Sequence, residues 1–145
     1  MQQYGSHSSR PDLAAFNRFV KLLWFVLFAS VGMYWFVAGV IRVDPELTPP
    51  PLVAQVLTLL AVGMGLGVAF LRFNRVPMVQ SRLLTDPAAL NQLRTHYIIC
   101  FVLAESVAVY GLALKLLGAP RDEAAWFFLG SAALFAFCYP KSPEA

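Results

Sequence analysis

Apolar residues run through this chain in four long blocks, separated by shorter polar segments that carry the prolines and most of the arginines. A continuous apolar block is typical of a membrane-spanning helix, whereas a helix on the surface of a soluble domain alternates apolar and polar faces. We therefore predict an all-α membrane protein, one domain over residues 1–145 with four transmembrane helices. The predicted spans are residues 19–41, 52–71, 97–117 and 124–139.

Composition supports a membrane protein and narrows the function classes. Of the 145 residues, 59% are hydrophobic and only 13% are charged, which is about half the charged share of an ordinary soluble domain. The net charge of +3 comes from arginines and lysines that flank the apolar blocks, a pattern typical of topology signals rather than of nucleic-acid binding. The sequence contains no phosphate-binding loop, dinucleotide fingerprint or metal-ligand spacing. We expect no enzyme activity, no cofactor, no metal site and no nucleic-acid partner.

The polar segments differ in charge in a way that predicts orientation. The N-terminal segment, the loop at residues 72–95 and the C-terminal tail carry most of the positive charge, and the two segments between them carry little. The positive-inside rule then places both termini and the loop at residues 72–95 in the cytoplasm. We expect the chain to lie in the lipid bilayer of a bacterial inner membrane.

A shift of 76 residues aligns the first span with the third. It places Ser30 on Ser106 and Tyr34 on Tyr110 without a gap, while the position of Glu105 is not matched by a carboxylate. Two parallel helix-pair repeats, related by an axis along the membrane normal, would give this pattern. Chance matching of two apolar helices is the alternative explanation, because such helices use few residue types.

One carboxylate, Glu105, lies near the middle of the third predicted span, with Ser106 and Tyr110 following it on the same helix. An ionisable group at membrane depth is costly, so it marks a candidate functional site. These three side chains could bind H⁺ or a small cation such as Na⁺. A neutral, protonated Glu105 that only bonds a neighbouring helix is the other interpretation, and the residues alone leave both open.

The second predicted span contains Gly63, Gly65 and Gly67. Small residues allow another helix to approach closely in a membrane, so we predict that this span packs against a neighbour through them. The proline-rich link at residues 43–51 is short, and it predicts a hairpin between the first two spans.

Residues 104–113, with the sequence AESVAVYGLA, resemble the carboxylate-bearing helix of the rotor-ring proteolipids of F- and V-type ATPases, subunits c and K. The glycine-containing span before it is similar to the glycine-repeat helix of those rings. The resemblance covers spans two and three, and it implies that Glu105 binds H⁺ or Na⁺ with Ser106 and Tyr110 as ligands, in a homo-oligomer. The chain departs from this family in its longer middle loop and two additional helices. It also resembles small four-span bacterial membrane proteins of proteolipid-like type.

Two functions are compatible with this pattern. The first is an ion-handling membrane protein in which Glu105 binds or translocates H⁺ or Na⁺, alone in a homo-oligomer or together with other subunits of a membrane complex. The alternative is a structural or assembly subunit of a larger membrane complex that has no transport role of its own.

Overall fold

The computed structural model describes residues 13–44, 48–82 and 88–140. All regular secondary structure in these ranges is helical, so the predicted all-α fold is confirmed. The four helices are α1 (Leu13–Val40), α2 (Pro51–Gln80), α3 (Ala88–Leu116) and α4 (Arg121–Phe137).

Three of these helices are long and apolar enough to cross a membrane. They are α1, α2 and α3, with 28, 30 and 29 residues, and each contains an 18-residue stretch whose mean hydropathy is 1.9, 2.1 and 2.0 respectively. The fourth helix, α4, has 17 residues and is therefore about 25 Å long, somewhat less than the hydrocarbon thickness of about 30 Å. Four membrane crossings remain a prediction, whereas three candidate crossings follow directly from helix length and composition.

The outer surface of the bundle is apolar. Large side chains on α1 and α2 point outwards, and Leu22, Phe36, Leu59 and Leu66 are each 66–71% exposed. A soluble monomer rarely exposes a contiguous apolar surface of this extent. The surface is compatible with lipid as the surrounding medium.

Helix α3 lies at the centre of the bundle. It packs against α1, α2 and α4, and it contributes more buried side chains than any other helix. Helix α1 also packs on α4, whereas α1 and α2 do not contact each other anywhere in the described ranges. The chain reverses direction between α1 and α2, as the link at residues 43–51 predicts, but the two helices do not pack on each other, because each lies against α3.

Helices α1 and α3 run parallel and in register. The Arg94 guanidinium stacks on the Phe19 ring near one end, and Ser30 bonds Glu105 near the middle; the residues of each pair are 75 positions apart. This offset is one residue less than the shift that aligns the two spans. The helix pairs nevertheless pack differently, since α3 contacts α4 extensively and α1 does not contact α2, so the internal repeat remains a prediction.

Among the described glycines, Gly111 of α3 marks the closest approach of another helix, which is α4. A Cβ atom at this position would lie 2.8 Å from Phe127 Cβ and 3.0 Å from the Ala124 carbonyl oxygen, closer than packed atoms tolerate. By contrast, Gly63 and Gly65 of α2 have nothing within 4 Å of an added Cβ, and only Gly67 contacts another helix, at 3.5 Å from Leu103 Cδ1. The glycine that decides helix packing is therefore on α3, outside the predicted set.

Helix α3 ends in a tight turn that sends the chain back along α4. Gly118 has a φ of 95°, a left-handed conformation that glycine adopts without a Cβ clash. The Ala119 N–H donates to the Leu114 carbonyl, and the Gly118 N–H donates to the Lys115 carbonyl. These two bonds close a Schellman motif, which satisfies carbonyls that the helix end would otherwise leave without a donor.

Much of the segment predicted as the cytoplasmic loop, residues 72–95, is helical, because α2 continues to Gln80 and α3 begins at Ala88, next to Pro87, near which the sequence predicts the start of the third helix. Its place outside the membrane stays a prediction. Residues 83–87, which include the predicted start signal of the third helix, lie outside the described residues. Within α2 the helix widens to a π-helical turn at Leu71–Arg75, where the Val76 N–H donates to the Leu71 carbonyl. Proline at 77 lacks an N–H, and its ring crowds the carbonyl four residues earlier. The wider turn lets the helix pass this proline instead of ending before it.

Candidate functional site

Glu105 projects from α3 towards α1 and is half-buried. Its Oε1 atom lies within hydrogen-bond distance of two α1 side chains, 2.6 Å from the Ser30 hydroxyl and 3.1 Å from the Tyr34 hydroxyl. Ser30 and Tyr34 are four residues apart, so they lie one above the other on the same face of α1. The parallel, in-register packing of α1 on α3 places this face opposite the carboxyl group.

The Ser30 hydroxyl makes a second short contact, 2.6 Å to the Leu27 carbonyl oxygen of its own helix. A serine hydroxyl has one proton, and a carbonyl oxygen can only accept. If Glu105 is ionised, Ser30 and Tyr34 supply two protons for three short oxygen–oxygen contacts. If Glu105 is protonated, its own O–H donates to Ser30, Ser30 donates to Leu27, and Tyr34 donates to Glu105. With a neutral carboxyl group each contact therefore has its own proton, and with an ionised one Ser30 shares its single proton between Glu105 and Leu27.

The other side of α3 is held at the same height by α4. Ser131 is fully buried, with 0% of its surface exposed, and its hydroxyl donates to the Ala104 carbonyl oxygen at 2.7 Å. Ala104 directly precedes Glu105, so α1 and α4 both form hydrogen bonds to this turn of α3. The position of the carboxyl along the bundle is thereby fixed from two sides.

The structure does not bring Ser106 and Tyr110 to the carboxyl group of Glu105. The Ser106 hydroxyl donates instead to the Val102 carbonyl of its own helix at 2.8 Å. Ser106 lies one turn from the exposed residues Val102 and Val109, on the face of α3 that is left open between α1 and α2. Tyr110 is half-buried, and within the described chain neither side chain bonds Glu105. Their predicted role as ion ligands stays a prediction.

The sequence contained a signal for these α1 partners of Glu105. Residue spacing along α3 alone does not show it. Ser30 and Tyr34 are the positions that align with Ser106 and Tyr110 under the shift of 76 residues. In the structure the serine and tyrosine beside the carboxyl group come from α1 rather than from α3. Ser131, the only serine or threonine in the fourth apolar block, carried a similar signal, because an isolated hydroxyl in such a block usually bonds another helix.

The chemistry available at this site is that of one carboxyl group and two hydroxyl groups. Such a set can bind a proton and release it, and it offers no nucleophile activated by a neighbouring base. Among the residues that the structure describes, no three His, Cys, Asp or Glu side chains come together in a group that could hold a metal ion. Proton binding is the reaction that these side chains support directly.

No family model, curated protein or solved structure matches this chain. The resemblance to rotor-ring proteolipids therefore stays a prediction.

Proposed function

We propose that this is a small integral membrane protein, proteolipid-like in its use of an intramembrane carboxyl group, in which Glu105 binds and releases H⁺ inside the bilayer. Ser30 and Tyr34 are the partners that hold the carboxyl group in its protonated form. The protein works in a bacterial inner membrane with both termini in the cytoplasm, as a homo-oligomer or with other subunits of a membrane complex.

The single observation that carries the proposal is the pair of 2.6 Å contacts made by the Ser30 hydroxyl, one to Glu105 and one to the Leu27 carbonyl. Ser30 has one proton, so each contact has a proton of its own when the carboxyl group donates to Ser30, whereas an ionised carboxyl group makes the two acceptors share the Ser30 proton. A proton on Glu105 also removes a charge that is costly at membrane depth. Hydrogen bonding and desolvation thus favour the same protonation state.

The same distances favour H⁺ over Na⁺ as the bound ion. A cation site needs several oxygens directed at a common point between them. Here the Ser30 and Tyr34 hydroxyls each lie within direct hydrogen-bond distance of Glu105 Oε1, an arrangement that needs only protons between the oxygens. Ser106 and Tyr110, which the proteolipid resemblance offers as further ligands, lie away from the carboxyl group in the single chain.

Proton flux through purified protein in liposomes tests the proposal. Wild-type protein should dissipate an imposed pH gradient, and Glu105→Gln should lose this flux because an amide cannot exchange the proton. Glu123→Gln is the matched control, since Glu123 is exposed at the start of α4 and its loss should leave flux unchanged. Equal flux in wild-type protein and Glu105→Gln would contradict the proposal.

A structural or assembly subunit is the second candidate function, and one observation favours it. The hydrogen bonds that hold Glu105 are also bonds between α1 and α3, so the carboxyl group could serve only to join two helices. An amide at position 105 would keep most of that bonding. In this case Glu105→Gln would support normal function in cells, and the protein would co-purify with a partner membrane subunit.

A further inference from the structure

A groove opens between the first turns of α1 and α3, at the end of the bundle where α2 and α4 finish. It encloses about 320 Å³, and its walls are Ala15, Phe16, Phe19, Leu90, Asn91 and Arg94. The walls are apolar except for the amide of Asn91 and the guanidinium of Arg94. The groove therefore combines an apolar floor with a cationic rim.

The cation at this rim is held in a fixed orientation. The Arg94 guanidinium carbon lies 3.9 Å from the centre of the Phe19 ring, a distance typical of a stacked cation–π pair. A guanidinium held over a ring can still donate from the N–H groups at its edge. Those edges match two oxygens of a phosphate group, which arginine binds in a bidentate manner.

The charges around the groove are of one sign within the described residues. Six cations lie at this end of the bundle, on α1, on α3, and on α2 with the residues that follow it. None of the four described carboxylates lies at that end; they are Asp44, Glu105, Asp122 and Glu123. The cations are Arg18, Lys21, Arg72, Arg75, Arg82 and Arg94. An anionic ligand would be attracted to this end and would meet the exposed Arg94 side chain in the groove.

We propose that the groove binds the headgroup of an anionic phospholipid, with its phosphate on Arg94 and Asn91 and its glycerol and upper acyl chain against Phe16, Phe19 and Leu90. Basic grooves between membrane helices are a recurring form of lipid headgroup site. The apolar walls continue into the exposed apolar surface of α1, where Leu22 and Phe25 are each 66% exposed. A lipid fits both parts of this surface, whereas free phosphate would use only the rim.

Native mass spectrometry of the detergent-solubilised protein, titrated with phosphatidylglycerol, tests the proposal. Phosphatidylcholine and inorganic phosphate serve as the comparison ligands. The wild-type protein should bind phosphatidylglycerol about tenfold more tightly than phosphatidylcholine, the scale of one charge-assisted bidentate contact. Inorganic phosphate should not displace the lipid.

Arg94→Gln should remove this preference, and Arg94→Lys should weaken it, because lysine keeps the charge but loses the planar fork. Arg18→Gln is the matched control, since it removes an exposed cation at the same end of the bundle outside the groove. Phe19→Leu keeps the cation and an apolar wall and removes only the stacking, so it decides the question if Arg94→Gln does not fold. It should lower the preference several-fold.

Three results would overturn the proposal. Unchanged lipid preference in Arg94→Gln, or in Phe19→Leu if only that variant folds, would show that the groove is not the site. An equal loss in Arg18→Gln would show that the preference follows overall charge. Displacement of the lipid by inorganic phosphate would identify a phosphate site instead of a lipid site.

Discussion

Ser30 is the α1 residue nearest to the Glu105 carboxyl group, and the proposed proton on Glu105 rests on it. Its hydroxyl lies 2.6 Å from two acceptors, and it has a single proton to give. Tyr34 contributes a second donor to the carboxyl group at 3.1 Å. A change at either α1 residue should therefore alter the hydrogen bonding of the Glu105 carboxyl group, although both residues are more than seventy positions away in the chain.

Tyr34→Phe removes one donor and keeps the ring. The infrared band of the protonated Glu105 carboxyl group should shift, because its frequency depends on the hydrogen bonds that the group makes. Difference spectra against Glu105→Gln identify the band. Ser106→Ala is the control, and its band should stay in place, since Ser106 bonds Val102 instead. A band that moves in Ser106→Ala and stays fixed in Tyr34→Phe would support the partners that the sequence predicted.

Ser131→Ala removes the hydrogen bond that α4 makes to the Ala104 carbonyl. Hydrogen bonds between membrane helices contribute about 0.6 kcal/mol on average, so the free energy of unfolding should fall by roughly that amount, with about 1.7 kcal/mol as the upper end. Unfolding in mixed detergent micelles measures this change. No loss of stability would mean that Ala104 and Ser131 do not form the bond in the folded protein.

Sequence reasoning identified Glu105 as the candidate site but not the residues that hold it. The cost of a carboxyl group at membrane depth is a property of one residue and its block, which a sequence shows directly. The partners depend on which helix lies beside α3 and at what height, and spacing along α3 gives no information about that. Only the alignment of Ser30 and Tyr34 with Ser106 and Tyr110 pointed to α1.

At the scale of the helices, α3 and α4 form the most tightly packed pair, and Gly111 permits their contact. The backbone carbonyl of Ala124 lies 3.0 Å from where a Cβ would stand on Gly111, and a backbone atom cannot move aside as a side chain can. The three glycines of α2 formed a more visible pattern in the sequence. Pattern alone did not reveal that two of them face open space.

Gly111→Ala should destabilise the bundle by roughly 1–3 kcal/mol, the usual cost of inserting a methyl group into a filled contact. Gly63→Ala is the matched control, because nothing lies within 4 Å of its added Cβ. It should change the free energy of unfolding of the monomer by less than about 1 kcal/mol. Equal losses in the two variants would contradict the close α3–α4 contact.

The loop at residues 72–95 shows why helix ends are hard to predict in this chain. Arginines and a proline are typical of a segment leaving the membrane, and here they occur within a continuous helix. The π-helical turn at Leu71–Arg75 accommodates Pro77. Arg72 on that turn donates to the Tyr97 hydroxyl at 3.3 Å, so a residue that predicted loop and topology also contributes to the packing of α2 on α3.

For the molecule as a whole, orientation in the membrane is predicted from the distribution of positive charge alone. Apolar block length predicted the helical architecture, because crossing helices need about 20 apolar residues whatever their packing. The order of packing around α3 depends on side-chain shape, and block length carries no information about it. The short α4 matches its short apolar block at residues 124–139, whereas the separation of α1 from α2 followed from neither block length nor charge.

Labelling of single cysteines tests the orientation. With Cys100 and Cys138, which are both buried, replaced by serine, Ser81→Cys and Thr48→Cys place thiols in exposed positions at opposite ends of the bundle. A membrane-impermeant maleimide should label Thr48→Cys in intact spheroplasts and Ser81→Cys only after lysis. The reverse pattern would place the basic end outside the cell.

The most direct test of proton binding is carbodiimide labelling of the wild-type protein in lipid vesicles, read residue by residue by mass spectrometry from acid to neutral pH with and without Na⁺. These reagents attack protonated carboxyl groups in apolar surroundings. We predict that Glu105 is labelled near neutral pH, that exposed Asp122 and Glu123 are not, and that Na⁺ does not protect. An unlabelled Glu105 throughout this range, or protection by Na⁺, would contradict a proton-binding Glu105.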